Sequence, residues 1–122
     1  MGQANQRKSA LIVEHDEDQR FLLGTLFEES GFEVIECETA EAALAVMESK
    51  PGIAVLFTDI RLAGVRDGVD LAHEVMRRWP NTSVIATSDR SSRVAELPRG
   101  VTYLQKPWRP LDLLVQVERA AH

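Results

Sequence analysis

At 122 residues the chain has room for one domain, and 44% hydrophobic against 27% charged residues suits a chain with its own core and a wetted surface. A net charge of −5 argues against direct nucleic-acid binding, and the lone Cys37 excludes an internal disulfide and, with no Cys/His cluster beside it, a structural zinc. No apolar run approaches the roughly 18 residues of a membrane span, and the polar start lacks the apolar core of a signal peptide, so a cytoplasmic chain free of membranes is expected.

Residues 1–9 are polar and are expected to form a disordered tail, with one folded domain over 10–122. Ala10-Leu11-Ile12-Val13 is a short apolar run ending abruptly in charge, the pattern of a buried strand. From about Glu17 to Ser30, Phe21, Leu22, Leu26 and Phe27 fall near helical spacing, and Gly31 closes the segment. Phe32 to Cys37 reads as a second strand. Thr39 then caps a helix whose apolar face is Ala40, Ala43, Leu44 and Met47, ended by Pro51-Gly52.

Ile53-Ala54-Val55-Leu56-Phe57 is the most apolar run and the expected central strand. A glycine-containing loop from Arg61 to Gly68 leads to a helical stripe of Leu71, Ala72, Val75, Met76 and Trp79, stopped by Pro80. Ser83 to Ala86 and Val101 to Leu104 are the fourth and fifth strands, and a last helix starts near Pro110 with Leu111, Leu114 and Val115. Between Asp89 and Arg99 only Val94, Ala95 and Leu97 are apolar, so the fourth helix is expected to be short or frayed. The pattern as a whole is α/β: a doubly wound, five-stranded parallel sheet of flavodoxin-like (βα)5 type. Charge is uneven along it, with six Lys or Arg against four acids from Asp89 onward.

Functional groups of such sheets gather beyond the carboxyl ends of the strands. Here the first strand ends in Glu14-His15-Asp16, the third in Thr58-Asp59, the fourth in Thr87-Ser88 and the fifth in Lys106-Pro107. Acids that hold a divalent cation, an Asp nucleophile, a hydroxyl and a lysine together suit phosphoryl transfer to a carboxylate. Taken singly, the Asp reads as a turn cap, Lys106 as a solvated lysine and Tyr103 as a core aromatic. Trp79 and Trp108 are assigned to packing.

In their order and placement these residues resemble the response-regulator receiver family, from Ala10 to about Ala121. The segment Asp59-Ile60-Arg61-Leu62-Ala63-Gly64 and the dipeptide Asp67-Gly68 are similar to that family's acceptor loop. The resemblance implies Asp59 as phospho-acceptor, Thr87 as switch hydroxyl, Lys106 as phosphate-pairing cation and Tyr103 as switch aromatic. It also implies Mg²⁺, held by Glu14 or Asp16, by Asp59 and by the backbone carbonyl of Arg61. The phosphoryl donor would be a histidine kinase or a phosphotransfer protein. The output would pass to a protein partner or to a domain outside this chain, and the chain would not be an enzyme.

Three departures stand out. His15 occupies a position where the family usually carries a second acid, and Arg20, six residues after Glu14, fixes that register. Imidazole suits softer metals than Mg²⁺, so weaker Mg²⁺ binding is expected. Ala63 stands where Pro is common, and the span from Thr87 to Lys106 is a few residues short. His15 also supports a competing reading, a degenerate receiver that binds proteins without phosphorylation. A hydrolase of the haloacid-dehalogenase type would want an acid at Arg61, and neither a Walker loop nor a dinucleotide fingerprint is present.

Overall fold

The computed structural model describes residues 7–89 and 93–121. Five strands, β1 (Ser9–Val13), β2 (Glu33–Cys37), β3 (Ile53–Asp59), β4 (Ser83–Ser88) and β5 (Thr102–Gln105), form one sheet in the order β2-β1-β3-β4-β5, every pair parallel. Four helices cross over it: α1 (Glu17–Glu29), α2 (Ala40–Ser49), α3 (Gly68–Arg78) and α4 (Pro110–Ala121). The winding reverses beside β1, between β1 and β3, which is where such sheets open a crevice at their carboxyl edge.

Strand alternation divides the core in two. Ala10, Ile12, Val55, Phe57 and Ile85 pack under Leu23 and Phe27 of α1 and Leu113 and Val117 of α4. Leu11, Val13, Leu56 and Val84 pack on the other face, under α2 and α3. With both faces covered, β1 is buried along its whole length, which explains its unbroken apolar run. Caps set the helix starts. Asp16 accepts the amide of Gln19, Thr39 that of Ala42, and Asp67 forms a reciprocal capping box with Asp70.

Two helices bury faces that match the sequence expectation only in part, with Phe27 of α1 inward as expected. In α1, Leu23 and Phe27 are buried whereas Phe21 and Leu22 face solvent; in α4, Leu113 and Val117 are buried whereas Leu111 and Val115 are exposed. Both helices carry apolar residues around more than one face, so periodicity alone leaves the rotation open. The first strand starts at Ser9, one residue earlier than expected, and the Lys8 carbonyl accepts the amide of Glu33. Of the rest of the expected tail, residues 1–6 lie outside the described residues.

The expected fourth helix is, among the described residues, one 3-10 turn at Val94–Glu96. Its tether is a guanidinium: Arg93 reaches Asp67 at 2.7 Å, Glu96 at 3.0 Å and Asp70 at 3.3 Å. His73 of α3 adds a ring-nitrogen bond of 2.6 Å to the Glu96 carbonyl. So few apolar residues cannot cover the sheet edge as an amphipathic helix would, and side-chain charge holds the segment instead.

Candidate functional site at the carboxyl edge of the sheet

Strand parity decides which side chains meet. Glu14 continues the face of Ala10 and Ile12, Asp59 that of Val55 and Phe57, Thr87 that of Ile85, and Lys106 that of Leu104. All four therefore emerge on the α1/α4 face at one end of the sheet. Glu14, Asp59 and Lys106 line, with His15, Asp16, Gln19 and Arg61, a cleft of about 600 Å³, and Thr87 is set back from it.

Lys106 is the hub. Its Nζ donates to Asp59 Oδ2 at 2.6 Å, to Gln19 Oε1 at 2.7 Å and to Glu14 Oε1 at 3.4 Å, one acceptor for each ammonium hydrogen. The other carboxylate oxygen of Asp59 accepts the Arg61 amide at 2.8 Å, which fixes the orientation of the group. Glu14 is fully buried and accepts the Asp16 amide at 3.0 Å, and Arg20 donates to its carbonyl at 2.8 Å. Burial raises the pKa of Glu14, opposed by the Asp16 amide and reinforced by the Asp59 charge. For Lys106 burial acts downward, but the bond and charge of Asp59, with Glu14 behind them, leave its pKa raised.

The other expected residues divide. Thr87 is buried beside Asp59 across the β3–β4 pair, and its hydroxyl oxygen accepts the indole N–H of Trp108 at 3.1 Å. Tyr103 lies on the opposite face, against Ala86 and Ile60, with its hydroxyl 2.8 Å from Ser88 Oγ. Asp16 commits Oδ1 to the cap of α1. His15 is half exposed, with Nδ1 at 3.6 Å from Glu14 Oε2.

Gln19, Trp108 and Gly68 carry parts of the site that sequence reasoning did not assign. The first two are found only through their bonds to Lys106 and Thr87. Gly68 had a signal in the Asp67-Gly68 dipeptide: a Cβ there would overlap the Asp59 carbonyl and lie 2.8 Å from the Ile60 Cα. Glycine lets α3 start directly against the backbone of Asp59 and Ile60.

The donor set was weighed for a metal. Among the described residues no three His, Cys, Asp or Glu side chains gather closely enough to hold one. Two hard carboxylates, Glu14 and Asp59, share a single lysine, and Mg²⁺ commonly binds through one or two carboxylates while keeping several waters. The residues present fit such an ion.

Comparison with known proteins is decisive for the family. The sequence model of the response regulator receiver domain matches residues 10–118. The chain belongs to the response-regulator receiver family. This receiver is 31% identical to the transcriptional regulatory protein GltR of Pseudomonas aeruginosa, over 91% of its own length but 48% of that protein. It is 25% identical to the response regulator receiver protein CpdR of Brucella abortus, over 92% of this chain and 95% of that one. The chain thus spans about half the length of the first of these relatives. Its fold superposes on a receiver protein from Sinorhizobium medicae with a TM-score of 0.87 at 19% identity, covering 95% of both chains. It also superposes on the receiver domain of NtrX from Brucella abortus with a TM-score of 0.80 at 28% identity, covering 93% of this chain and 98% of that one. The flavodoxin-like doubly wound sheet expected from the sequence is the fold observed. Among the described residues no helix is long and apolar enough to cross a membrane.

Proposed function

We propose that the chain is a phosphorelay receiver that accepts a phosphoryl group on Asp59 from a histidine kinase or phosphotransfer protein, and that the switch is read out at its C-terminal face. Receiver domains work with histidine kinases and output domains and generally bind Mg²⁺. The observation that carries the proposal for this chain is the 2.6 Å bond from Lys106 to a nearly buried Asp59, with Glu14 beside both. In the reaction a lone pair on one carboxylate oxygen of Asp59 attacks phosphorus, the bond from phosphorus to the donor nitrogen breaks, and the donor imidazole leaves with the electron pair. Arg61's amide holds the carboxylate for attack, and Lys106 offsets charge on the transferred oxygens. Glu14, Asp59 and the Arg61 carbonyl would hold Mg²⁺, which supplies further positive charge to the phosphoryl oxygens. Asp16, whose Oδ1 is committed to the cap of α1, would join them through Oδ2. The reading involves no turnover of a free substrate, so the chain is not an enzyme in it, and acts in the cytoplasm on protein partners without contacting nucleic acid itself.

Incubation with acetyl phosphate and Mg²⁺, followed by intact-mass measurement, tests the proposal. One added phosphoryl group, absent in Asp59→Asn, is expected. His15, standing where an acid is usual, favours a second reading: a degenerate receiver that binds partners unswitched. No mass gain in the wild type selects that reading. Titration distinguishes the metal sites as well, since His15→Asp is expected to bind Mg²⁺ more tightly than the wild type.

A further inference from the structure

Thr87 and Asp59 are partners across β3 and β4, with side chains on the same face of the sheet. The Thr87 side chain is fully buried, and the bond it makes among the described residues is the one it accepts from the Trp108 indole at 3.1 Å. A hydroxyl accepts and donates at once. With a lone pair occupied by the indole, the remaining hydrogen is left for an oxygen arriving on Asp59. Trp108 is itself braced, its ring edge-on to Phe57 at 6.5 Å between centroids. It is also half-buried between two surface clefts, one shared with Leu22 and Lys106, the other with Tyr103 and Val115. Tyr103 borders the second of these clefts, but its hydroxyl is bonded to Ser88 rather than to Thr87.

We infer that Trp108 is a positioning residue for Thr87: its N–H aims the Thr87 hydroxyl at the phosphoryl position, and its ring carries the state of that hydroxyl to the surface between α1 and α4. The inference rests on Asp59 being the acceptor. It makes Trp108, rather than Tyr103, the aromatic in direct contact with the switch hydroxyl. Beryllofluoride with Mg²⁺ serves as the phosphoryl mimic for the test.

Three observations are expected. The Trp108 indole N–H resonance moves when the mimic binds, while that of Trp79 stays. Trp108→Phe, which keeps a ring and removes the N–H, weakens mimic binding about fivefold, the size of one hydrogen bond. Thr87→Val combined with Trp108→Phe binds no more weakly than Thr87→Val alone, because both remove the same bond. A Trp108→Phe variant that binds as the wild type does, losses that add independently, or an unmoved resonance overturns the inference while leaving Asp59 as acceptor. The resonance is read on the wild type, so it decides even should Trp108→Phe fold poorly. A wild type that neither binds the mimic nor gains mass with acetyl phosphate overturns the acceptor reading, and this inference with it.

Discussion

The segments that follow β3 and β4 are held in opposite ways. After β3 the backbone does the holding. Ile60 donates to the Thr87 carbonyl at 2.8 Å, Gly68 donates to the Ile60 carbonyl at 2.7 Å, and α3 starts against Asp59 with no side chain between. After β4, among the described residues, the 3-10 turn hangs on the half-exposed guanidinium of Arg93. Close packing tolerates almost no displacement, whereas exposed ion pairs contribute little and rearrange readily. The fold is thus stiff around Asp59 and compliant in the segment after β4.

Gly68→Ala attacks the stiff side most directly. The added methyl meets backbone on two sides, so α3 must move away from Asp59. A loss of about 3 kcal/mol is expected by urea unfolding, with phosphoryl uptake falling further than stability explains. A variant within about 0.5 kcal/mol of wild type would show the contact to be soft.

Lys106→Met comes next. It leaves Asp59 and Glu14 together without their cation, and a cost of about 2 kcal/mol at neutral pH is expected. Proton uptake by Glu14 limits the damage. Its folded pKa is already raised, so its protonation favours the fold below the unfolded carboxylate range, and that benefit is lost as pH rises through the folded value. The gap between Lys106→Met and wild type should therefore narrow on acidification. Glu14→Gln in the wild-type background should gain stability at pH 7 relative to pH 4, and denaturation midpoints at the two values check the sign. A gap that widens in acid would mean that Glu14 is stabilised chiefly as an anion.

What the sequence made legible follows the same division. Apolar runs ending in Glu14, Asp59, Thr87 and Lys106 identified the strands and the edge where they converge, because strand parity carries a residue's face with it. Helix rotation was less legible, since Phe21 and Leu22 are as apolar as the Leu23 and Phe27 that pack inward. The bonds of Gln19 and Trp108 were not legible at all. They join positions 87 and 21 residues apart in the chain, and no local spacing encodes such pairs. The weak fourth helix was visible as missing apolar residues, but its replacement by an arginine tether was not, because Arg93 meets Asp67 and Asp70 across 26 and 23 residues of chain, again beyond any local spacing.

Arg93→Ala tests that tether and should have the smallest effect on global stability. Its partners are partly exposed, so well under about 1 kcal/mol is expected. Locally the change should be larger, because Val94, Leu97 and Val101 are only partly buried and the ion pairs hold the turn against α3. Amide exchange there should quicken about fivefold, while β1 and β3 keep their protection. Acid should reproduce part of the effect. The Asp67 amide, and then Arg93, hold Asp70 below its ordinary pKa, so stability from this group is present above the unfolded carboxylate range and lost as pH falls through the folded value. If Arg93→Ala instead slowed exchange in the segment, or loosened β3 equally, the contrast between a packed loop and a tethered one would fail. The short turn would then be held by Val94, Leu97 and Val101 against Ile60 and Val69 rather than by charge.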